Sequence, residues 1–305
     1  MDIVKIRDFV LNVAEVFVSI IKIVFMSRIP FNFKLKQKKG KSLILLGNGP
    51  SLNETLKYKE FFTEKELLCV NYFCRTEEFT ELKPAYYVIT SLEYFFNEDK
   101  EHFAIERRRT LESIAKNTTW PMIFFIPAKA KSQKEWKNIF KDNRNISIFY
   151  FNTTPVSGLK IFTSFCFSNN FGMPRPHNVL IPSLILAIKM KFDNIYITGA
   201  DHSWLKEIYV DSGNEVLLSQ KHFYDKQAKK QEHYRDMSVA QPMYHGGSSE
   251  TRKLHEVIEK FYYTFQSYWK IKSYAEEKSV KIYNITPESY IDAFDRLDIS
   301  KLQKL

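Results

Sequence analysis

Short apolar runs alternate with longer amphipathic stretches along most of the chain, from residue 42 onward. Runs rich in Leu, Ile, Val and Phe predict seven strands, at 42–46, 67–70, 85–90, 122–126, 146–151, 194–198 and 280–285. The stretches between and after them predict helices at 54–61, 98–116, 131–140, 179–191, 249–278 and 287–294. Strands that alternate with helices in this way predict an α/β fold, with a Rossmann-like, mostly parallel sheet and helices on both faces.

The first 26 residues follow a different pattern, in which a narrow polar stripe runs along one otherwise apolar helix. The stripe recurs at intervals of three and four residues; its members are Lys5, Asp8, Asn12, Glu15, Ser19 and Lys22. A membrane span needs about 20 apolar residues with few charges, and Glu15 and Lys22 interrupt this run. Acidic residues near the N-terminus and the lack of a small-residue cleavage site argue against a signal peptide.

The segment that follows this helix is strongly basic. Residues 28–41 carry six lysines and arginines among Ile and Phe. We therefore expect residues 1–41 to form an in-plane membrane anchor with a basic collar on an anionic bilayer. Packing of the helix on the body, or against a second subunit in a homo-oligomer, is the alternative, and a true membrane span is the third possibility. With an anchor of this kind, the chain would be cytoplasmic and peripheral on the inner membrane.

Charge and cysteine content narrow the classes of partner. The net charge is +10, and residues 1–41 contribute six of these charges. A nucleic-acid-binding protein would carry the excess on its folded body, so we expect no nucleic-acid partner. The three cysteines have no Cys-x-x-Cys spacing, which argues against a disulfide framework or a zinc site and favours a reducing compartment.

The turn after the first predicted strand, Gly47-Asn48-Gly49-Pro50-Ser51, is the strongest local signal. A strand that leads into a helix here would present free backbone amides to a phosphate group. Gly47 and Gly49 would let a ligand approach the backbone closely, Asn48 would offer its amide, and Ser51 a hydroxyl. The spacing matches neither a G-x-G-x-x-G motif nor a Walker P-loop.

Ligands of parallel sheets bind at the carboxyl ends of the strands. That rule selects the segments 47–52, 71–74, 90–94 and 199–204 as walls of a site. The segment 201–248 has little periodicity and many polar residues, which predicts a long functional loop or lid over that site.

Several segments resemble the bacterial sialyltransferases of glycosyltransferase family 42. The sequence GNGPSL after the first strand is their signature, and it also occurs in a wider group that includes the MptE-like pterin diphosphokinases. Further similarity lies in Val70-Asn71-Tyr72, in VLIPSLILAIKMKFDNIYITGAD, in MYHGGSSETRKLHEVIEKFY and in NITPESYIDAF. The resemblance spans residues 42–296 and leaves out the N-terminal helix.

The resemblance implies a sialyltransferase-like variant of the GT-A fold over 42–296, followed by a short tail at 297–305. It implies an inverting glycosyltransferase that takes a sugar from a nucleotide donor, CMP-linked, to a cell-surface glycan such as lipopolysaccharide or capsule, or to a lipid-linked acceptor. No cofactor beyond this donor is implied. The residues that would bind the donor are Gly47, Asn48, Gly49, Ser51, Asn71, Arg175, Gly199 and His202.

The resemblance also assigns catalytic roles. His245 would be the general base that deprotonates the acceptor hydroxyl, which suits an imidazole at neutral pH. Ser203 and Tyr209 occupy the positions of two tyrosines that donate to the departing phosphate. Because Ser203 is not a tyrosine, the chain departs from the true sialyltransferases, and sialic acid is not the expected sugar. Asp201 would bind ribose hydroxyls, orient a histidine or hold the loop.

Two other classes of function remain open. A pyrophosphoryl or phosphoryl transferase like the pterin enzymes would need Mg²⁺, held by Asp201 and neighbouring acids. A nucleotide-binding assembly protein would need no catalysis at all. Several histidines lie in or beside the predicted lid: His202, His222, His233, His245 and His255. Their spacings fit no closed zinc pattern, and we expect no metal site.

Overall fold

Eight strands form one parallel sheet, which confirms the predicted α/β fold class. The computed structural model describes residues 3–29, 35–96, 104–225, 238–245 and 249–302. The described strands are β1 Ser42–Leu46, β2 Glu66–Val70, β3 Tyr86–Val88, β4 Met122–Pro127, β5 Ile146–Phe151, β6 Asn194–Thr198, β7 Ile208–Val210, β8 Val216–Leu218, β9 Gln241–Pro242, β10 Lys281–Asn284 and β11 Asp295–Arg296. The large sheet has the order β11-β10-β6-β1-β2-β3-β4-β5, and all its neighbours pair in parallel.

Helices cover both faces of this sheet. The described α-helices are α1 Ile3–Met26, α2 Leu52–Thr55, α3 Lys59–Phe62, α4 Glu77–Leu82, α5 Ala104–Asn117, α6 Glu135–Phe140, α7 Lys160–Ser168, α8 Leu180–Lys189, α9 Leu254–Glu277 and α10 Ile299–Leu302. Short 3₁₀ helices occupy Asn71–Arg75, Leu92–Tyr94, Ala128–Ser132 and Ser203–Lys206. The start of the helix predicted over 98–116 lies partly outside the described residues, and the helix predicted over 54–61 is split into α2 and α3.

The core explains why the strands are apolar on both faces. Leu43 and Leu45 of β1 pack into the layer that contains α8 and α9. Ile44 and Leu46 point the other way, into the layer that contains α2 and α3. Because both faces of a parallel sheet are covered, its strands read as unbroken apolar runs rather than alternating ones. The predicted tail also contributes, since Ile299 is buried in the second layer.

The helix predicted over 287–294 is wrong. This segment is an irregular loop, and Glu288 has a positive φ of 51° that ends any helical run. Its polar groups bond to the segment that follows β6: Ser289 Oγ donates to the Ala200 carbonyl at 2.7 Å, and the Tyr290 amide donates to the Asp201 carbonyl at 2.9 Å. These long-range bonds replace the local bonds that a helix would have made.

The predicted lid contains regular structure where the structure describes it. A 3₁₀ helix at Ser203–Lys206 is followed by a small antiparallel sheet of β7, β8 and β9. Val216 and Leu218 of β8 pack against Val257 and Phe261 of α9. Residues 226–237 and 246–248 of the predicted lid lie outside the described residues.

Helix α1 docks on the body through part of its polar stripe. Ser19 is fully buried; its Oγ donates to the Ser157 carbonyl at 3.0 Å and accepts the Ser157 amide at 2.9 Å. Gly158 lets the helix come close, since a Cβ there would lie 2.7 Å from the Asn12 carbonyl oxygen and 2.7 Å from Val16 Cγ2. The polar stripe therefore faces the protein at these positions, not solvent.

The apolar side of α1 faces outward. Its exposed large apolar residues include Phe9, Val10, Phe17, Val18, Ile20, Ile21, Val24 and Phe25. By length and composition α1 is also apolar enough to cross a membrane. On the body, Ile161 and Phe165 of α7 are exposed as well. An apolar surface of this extent is a feature of membrane or protein interaction sites.

Candidate functional site

A cavity of about 280 Å³ opens at the carboxyl ends of β1, β2 and β6. The chain adds β2 to β5 on one side of β1 and then places β6 on the other side, so the strand order reverses here. Such a reversal point is where parallel sheets bind ligands. The predicted site residues in the cavity wall are Gly47, Asn48, Gly49, Asn71, Gly199, Asp201, His202 and Ser203.

Another cavity, of about 1100 Å³, lies between α5 and α6. Trp136 and Arg144 are part of its wall, and it contains none of the predicted site residues. It adjoins residues 97–103, which lie outside the described residues. Position in the sheet favours the smaller cavity as the candidate site, although the other is larger.

The free amides expected in the glycine turn are not present. The Gly47 amide donates to the Thr198 carbonyl and the Gly49 amide to the Gly199 carbonyl, both at 2.8 Å. The Ser51 amide donates to the Asp201 carboxylate at 3.2 Å. Helix α2 is a single turn, so its dipole is small as well. The prediction that these amides are free to bind a phosphate is therefore wrong, because all three already donate hydrogen bonds within the protein.

The two glycines are required by the protein backbone. A Cβ at Gly47 would overlap the Gly199 carbonyl oxygen, and a Cβ at Gly49 would overlap Asp201 Oδ2. Gly199 has a positive φ of 62°, and a Cβ there would lie 2.6 Å from the Gly47 carbonyl oxygen. Glycine is required at these positions because the turns after β1 and β6 touch. Gly47 and Gly49 also line the cavity, and close approach by a ligand there stays a prediction.

Asp201 holds these two turns together. Its carboxylate accepts the Ser51 hydroxyl at 2.8 Å in addition to the Ser51 amide. Burial raises the pKa of Asp201, and the two bonds from Ser51 oppose this effect. Ser51 itself is not in the cavity wall and acts through this contact. Of the roles expected for Asp201, the geometry supports the one that holds the loop.

Asn48 lines the cavity and carries an unsatisfied acceptor. Its side-chain amide donates to the Val70 carbonyl at 3.1 Å, which fixes the orientation of the amide group. Asn48 Oδ1 is buried and has no hydrogen-bond partner. Beside it, Asn71 adopts a positive φ of 52°, and its carbonyl accepts the Tyr87 hydroxyl at 2.6 Å. A buried carbonyl without a partner costs free energy unless a ligand supplies a donor.

His202 is a buried, neutral histidine. Its Nε2 lies 2.7 Å from the Tyr268 hydroxyl, and its ring stacks on Trp204 with centroids 4.2 Å apart. Complete burial lowers the pKa of His202 to about 3, so the ring carries no charge at neutral pH. A neutral ring cannot supply charge to a phosphate. The next residue, Ser203, lies in the cavity wall, within the segment 199–204 that the sequence predicts as a wall of the site.

His222 also lies in the cavity wall, although the sequence placed it only among the histidines of the predicted lid. Its amide donates to Asp225 Oδ2 at 2.8 Å, and its ring stacks on Tyr224 with centroids 5.0 Å apart. The imidazole Nδ1 is buried without a hydrogen-bond partner, 3.6 Å from Asp225 Oδ1. The Phe223 amide donates to the Asn48 carbonyl at 3.0 Å and fastens this segment to the glycine turn. Only a His-x-x-Asp spacing in a polar stretch hints at it in the sequence.

Besides Ser51, three predicted residues lie outside the cavity wall. Tyr209 lies on β7 and is half exposed. His245 Nε2 lies 3.3 Å from Glu256 Oε2 on α9. Arg175 places its guanidinium 4.1 Å from the centroid of the Tyr263 ring. Within the part of the chain that the structure describes, no three His, Cys, Asp or Glu side chains lie close enough to hold a metal ion.

Comparisons with known proteins add little to this geometry. No protein-family model and no curated protein matches the chain. Among solved structures, the chain is similar to the MAf glycosyltransferase from Magnetospirillum magneticum AMB-1, with a TM-score of 0.47 and 9% identity. The match covers 87% of this chain and 35% of that one, so the chain spans about a third of its length. A likeness of this degree carries no argument about function.

Proposed function

We propose that this protein is a glycosyltransferase that binds a nucleotide sugar, CMP-linked, at the carboxyl ends of β1, β2 and β6. The observation that carries the proposal is the unsatisfied Asn48 Oδ1 in a cavity at the reversal point of the sheet. The GNGPSL resemblance supports the same class. The acceptor is a cell-surface glycan or a lipid-linked saccharide.

Asn48 defines the chemistry of the ligand group that it meets. Its free atom is a carbonyl, so the ligand group must donate a hydrogen bond. A ribose hydroxyl or the exocyclic amine of cytosine meets this requirement, whereas a phosphate oxygen does not. We therefore place the nucleoside, rather than its phosphate, against Asn48 and Asn71.

The chemical step is an inverting displacement. The acceptor oxygen forms a bond to the anomeric carbon of the donor, the bond to the nucleotide phosphate breaks, and the electron pair leaves with that phosphate. A histidine takes the acceptor proton. The resemblance favours His245, which Glu256 orients at 3.3 Å. His222 is the alternative because it lies in the cavity wall beside Asp225. Ser203 would donate to the leaving phosphate.

The N-terminal helix gives the proposed enzyme its place in the cell. Because Ser19 faces the body and residues such as Phe17 and Ile21 face outward, α1 is suited to lie in the plane of a bilayer with its apolar side in the lipid. An enzyme held there would meet lipid-linked acceptors directly.

Nucleotide binding tests the first part of the proposal. Thermal unfolding is followed with CMP, UMP, GMP, AMP or ATP, with and without Mg²⁺, and then with the corresponding nucleotide sugars. We expect CMP to raise the Tm most, since a ligand present at 100 times its Kd adds about 2.7 kcal/mol. Asn48→Ala should weaken CMP binding about tenfold, while Asn138→Ala, at an exposed site, should not. A preference for ATP that requires Mg²⁺ would instead favour a phosphoryl transferase.

Activity measurements test the second part. Release of CMP from the donor is measured for His245→Ala and His222→Ala under saturating donor. Loss of the general base should lower the rate by about 100-fold or more and leave donor affinity unchanged. The affected variant identifies the base, and a full rate in both variants would refute histidine catalysis.

A further inference from the structure

Three cationic side chains lie along α9 outside the cavity wall, and the function proposed above assigns no role to them as a group. They come from separate parts of the chain: Arg175 precedes α8, Arg252 precedes α9, and Lys260 lies on α9. We call these three residues the cation cluster. Within the described residues, none of them forms an ion pair with a carboxylate.

The ring of Tyr263 is the platform of this cluster. The Arg175 guanidinium lies over it at 4.1 Å, and the His177 ring lies beside it with centroids 6.1 Å apart. Lys260 precedes Tyr263 by three residues and so shares its face of α9. Ser267, one turn further on, donates to the Arg175 carbonyl at 3.3 Å and holds that loop against the helix.

Arg252 completes the cluster from a hairpin. Its backbone amide donates to the Met243 carbonyl at 2.7 Å, and the His245 amide donates to the Glu250 carbonyl at 3.0 Å. Arg252 Nε is buried and has no hydrogen-bond partner. A buried guanidinium nitrogen without an acceptor is costly, and it is satisfied when an oxyanion binds.

The positive charge of the cluster affects the pKa values of nearby groups. Partial burial, together with the positive charges of Arg175, Lys260 and Arg252, lowers the pKa of His177 to about 4, with Glu259 opposing this. His177 is nevertheless an exposed residue. Burial, with repulsion by Arg252 added to it, also lowers the pKa of Lys260. Three cations that have no paired carboxylate among the described residues favour an anionic ligand.

We propose that the cation cluster binds a phosphate group, and that this is the anion site which the glycine turn does not supply. Arginine matches the geometry of phosphate through paired N–H donors, and lysine adds a point charge. Binding of the phosphate stands on the cluster alone, whereas its part in sugar transfer rests on the proposed function.

Two sources of phosphate are compatible with the position of the cluster. Asn178, the residue after His177, lines the cavity, so the phosphate of a nucleotide bound there is one source. In the other direction, burial lowers the pKa of Lys270 on α9, with attraction to Glu15 of α1 opposing this and repulsion by Arg175 adding to it. Because α1 is the anchor in the proposed function, the phosphate of a lipid-linked acceptor at the membrane is the second source.

Calorimetric titration of the full chain with inorganic pyrophosphate tests the site. We expect binding that weakens about tenfold in Arg252→Gln and in Lys260→Gln, since a lost charge-assisted bond changes affinity by about that factor. Arg144→Gln removes the same charge at an exposed position on another face and should bind as the wild type does. Equal binding by all four proteins, or an equal loss in Arg144→Gln, would overturn the proposal. Circular dichroism confirms that each variant is folded.

Two further titrations identify the source. If the phosphate belongs to the nucleotide, Arg252→Gln should weaken CMP about tenfold and leave cytidine unchanged. If it belongs to a lipid, the variant should lose binding to phosphatidylcholine vesicles with about one-fifth phosphatidic acid, more than to vesicles with phosphatidylglycerol at equal charge. Loss of neither would overturn the proposal. Failure of CMP and cytidine to bind at all, with pyrophosphate binding intact, would reject the nucleotide function and leave the phosphate site standing.

Discussion

Replacing Gly49 with alanine should destabilise the protein by separating Asp201 from Ser51. The new Cβ would overlap Asp201 Oδ2, and it would also lie 2.8 Å from the Gly199 carbonyl oxygen. The carboxylate must therefore move. As it moves, it loses the bonds from the Ser51 hydroxyl at 2.8 Å and the Ser51 amide at 3.2 Å.

The size of the effect follows from these two bonds. Hydrogen bonds to a charged group contribute about 1.5–3 kcal/mol each, so their loss costs about 3–6 kcal/mol. Burial already raises the pKa of Asp201, so moving the carboxylate toward solvent returns part of that energy. We expect a net loss near the lower limit, about 3 kcal/mol, and a fall in Tm of about 5 °C.

Urea unfolding and calorimetry of a double-mutant cycle test this reasoning. Asp201→Ala removes the atoms that the new Cβ would strike, so Gly49→Ala should cost much less in that background. Gly213→Ala is the control, because its nearest neighbour would be 3.3 Å away and a side chain is tolerated there. If the costs of Gly49→Ala and Asp201→Ala simply add, the contact with Asp201 is not the cause.

Three further predictions concern other parts of the molecule. Because the pKa of His202 is lowered from 6.5 to about 3, its stabilising effect is complete above pH 6.5 and is lost as the pH falls toward 3. Between pH 6.5 and about pH 4.5, the free energy of unfolding measured in urea should therefore fall by about 2–3 kcal/mol more in the wild type than in His202→Asn. Parallel curves of this free energy against pH would contradict the prediction. Phe17→Glu should lower co-sedimentation with anionic vesicles about tenfold, whereas Ile105→Glu, at an exposed apolar residue of α5, should not; equal loss would argue against α1 as the anchor. Lys83 ends α4 with a φ of 48°, so Lys83→Gly should raise the unfolding free energy by about 0.5–1 kcal/mol, and a decrease would mean that this φ is not strained.

The sheet was predictable because its strands are buried on both sides. A strand such as β4, Met122–Pro127, is an unbroken apolar run, and this pattern requires no knowledge of distant contacts. The loop at 287–294 was not predictable for the opposite reason. Its conformation is set by bonds from Ser289 and Tyr290 to residues 89 positions earlier in the chain, which outweigh local propensity.

The candidate site was likewise predictable only where local sequence determines it. The position of the Gly47–Ser51 turn followed from the strand before it, and the cavity contains most of the residues that the sequence indicated. The occupancy of its amides did not follow, since the acceptors belong to Thr198, Gly199 and Asp201. His222 meets Asn48 only because a segment more than 170 residues downstream folds back over the turn. Long-range contacts of this kind produce almost no recognisable pattern in the nearby sequence.

The bonds from Ser289 and Tyr290 to the turn after β6 have a consequence for how the protein is made. The cavity joins residues from Gly47 to His222, and the loop that braces it follows all of them in the chain, so it leaves the ribosome after them. Long-range contacts of this kind form late in folding. A nascent chain that ends before residue 287 can assemble most of its sheet, but it lacks the brace. Premature termination before residue 287 should therefore yield a chain with much of its fold and little capacity to hold its ligand.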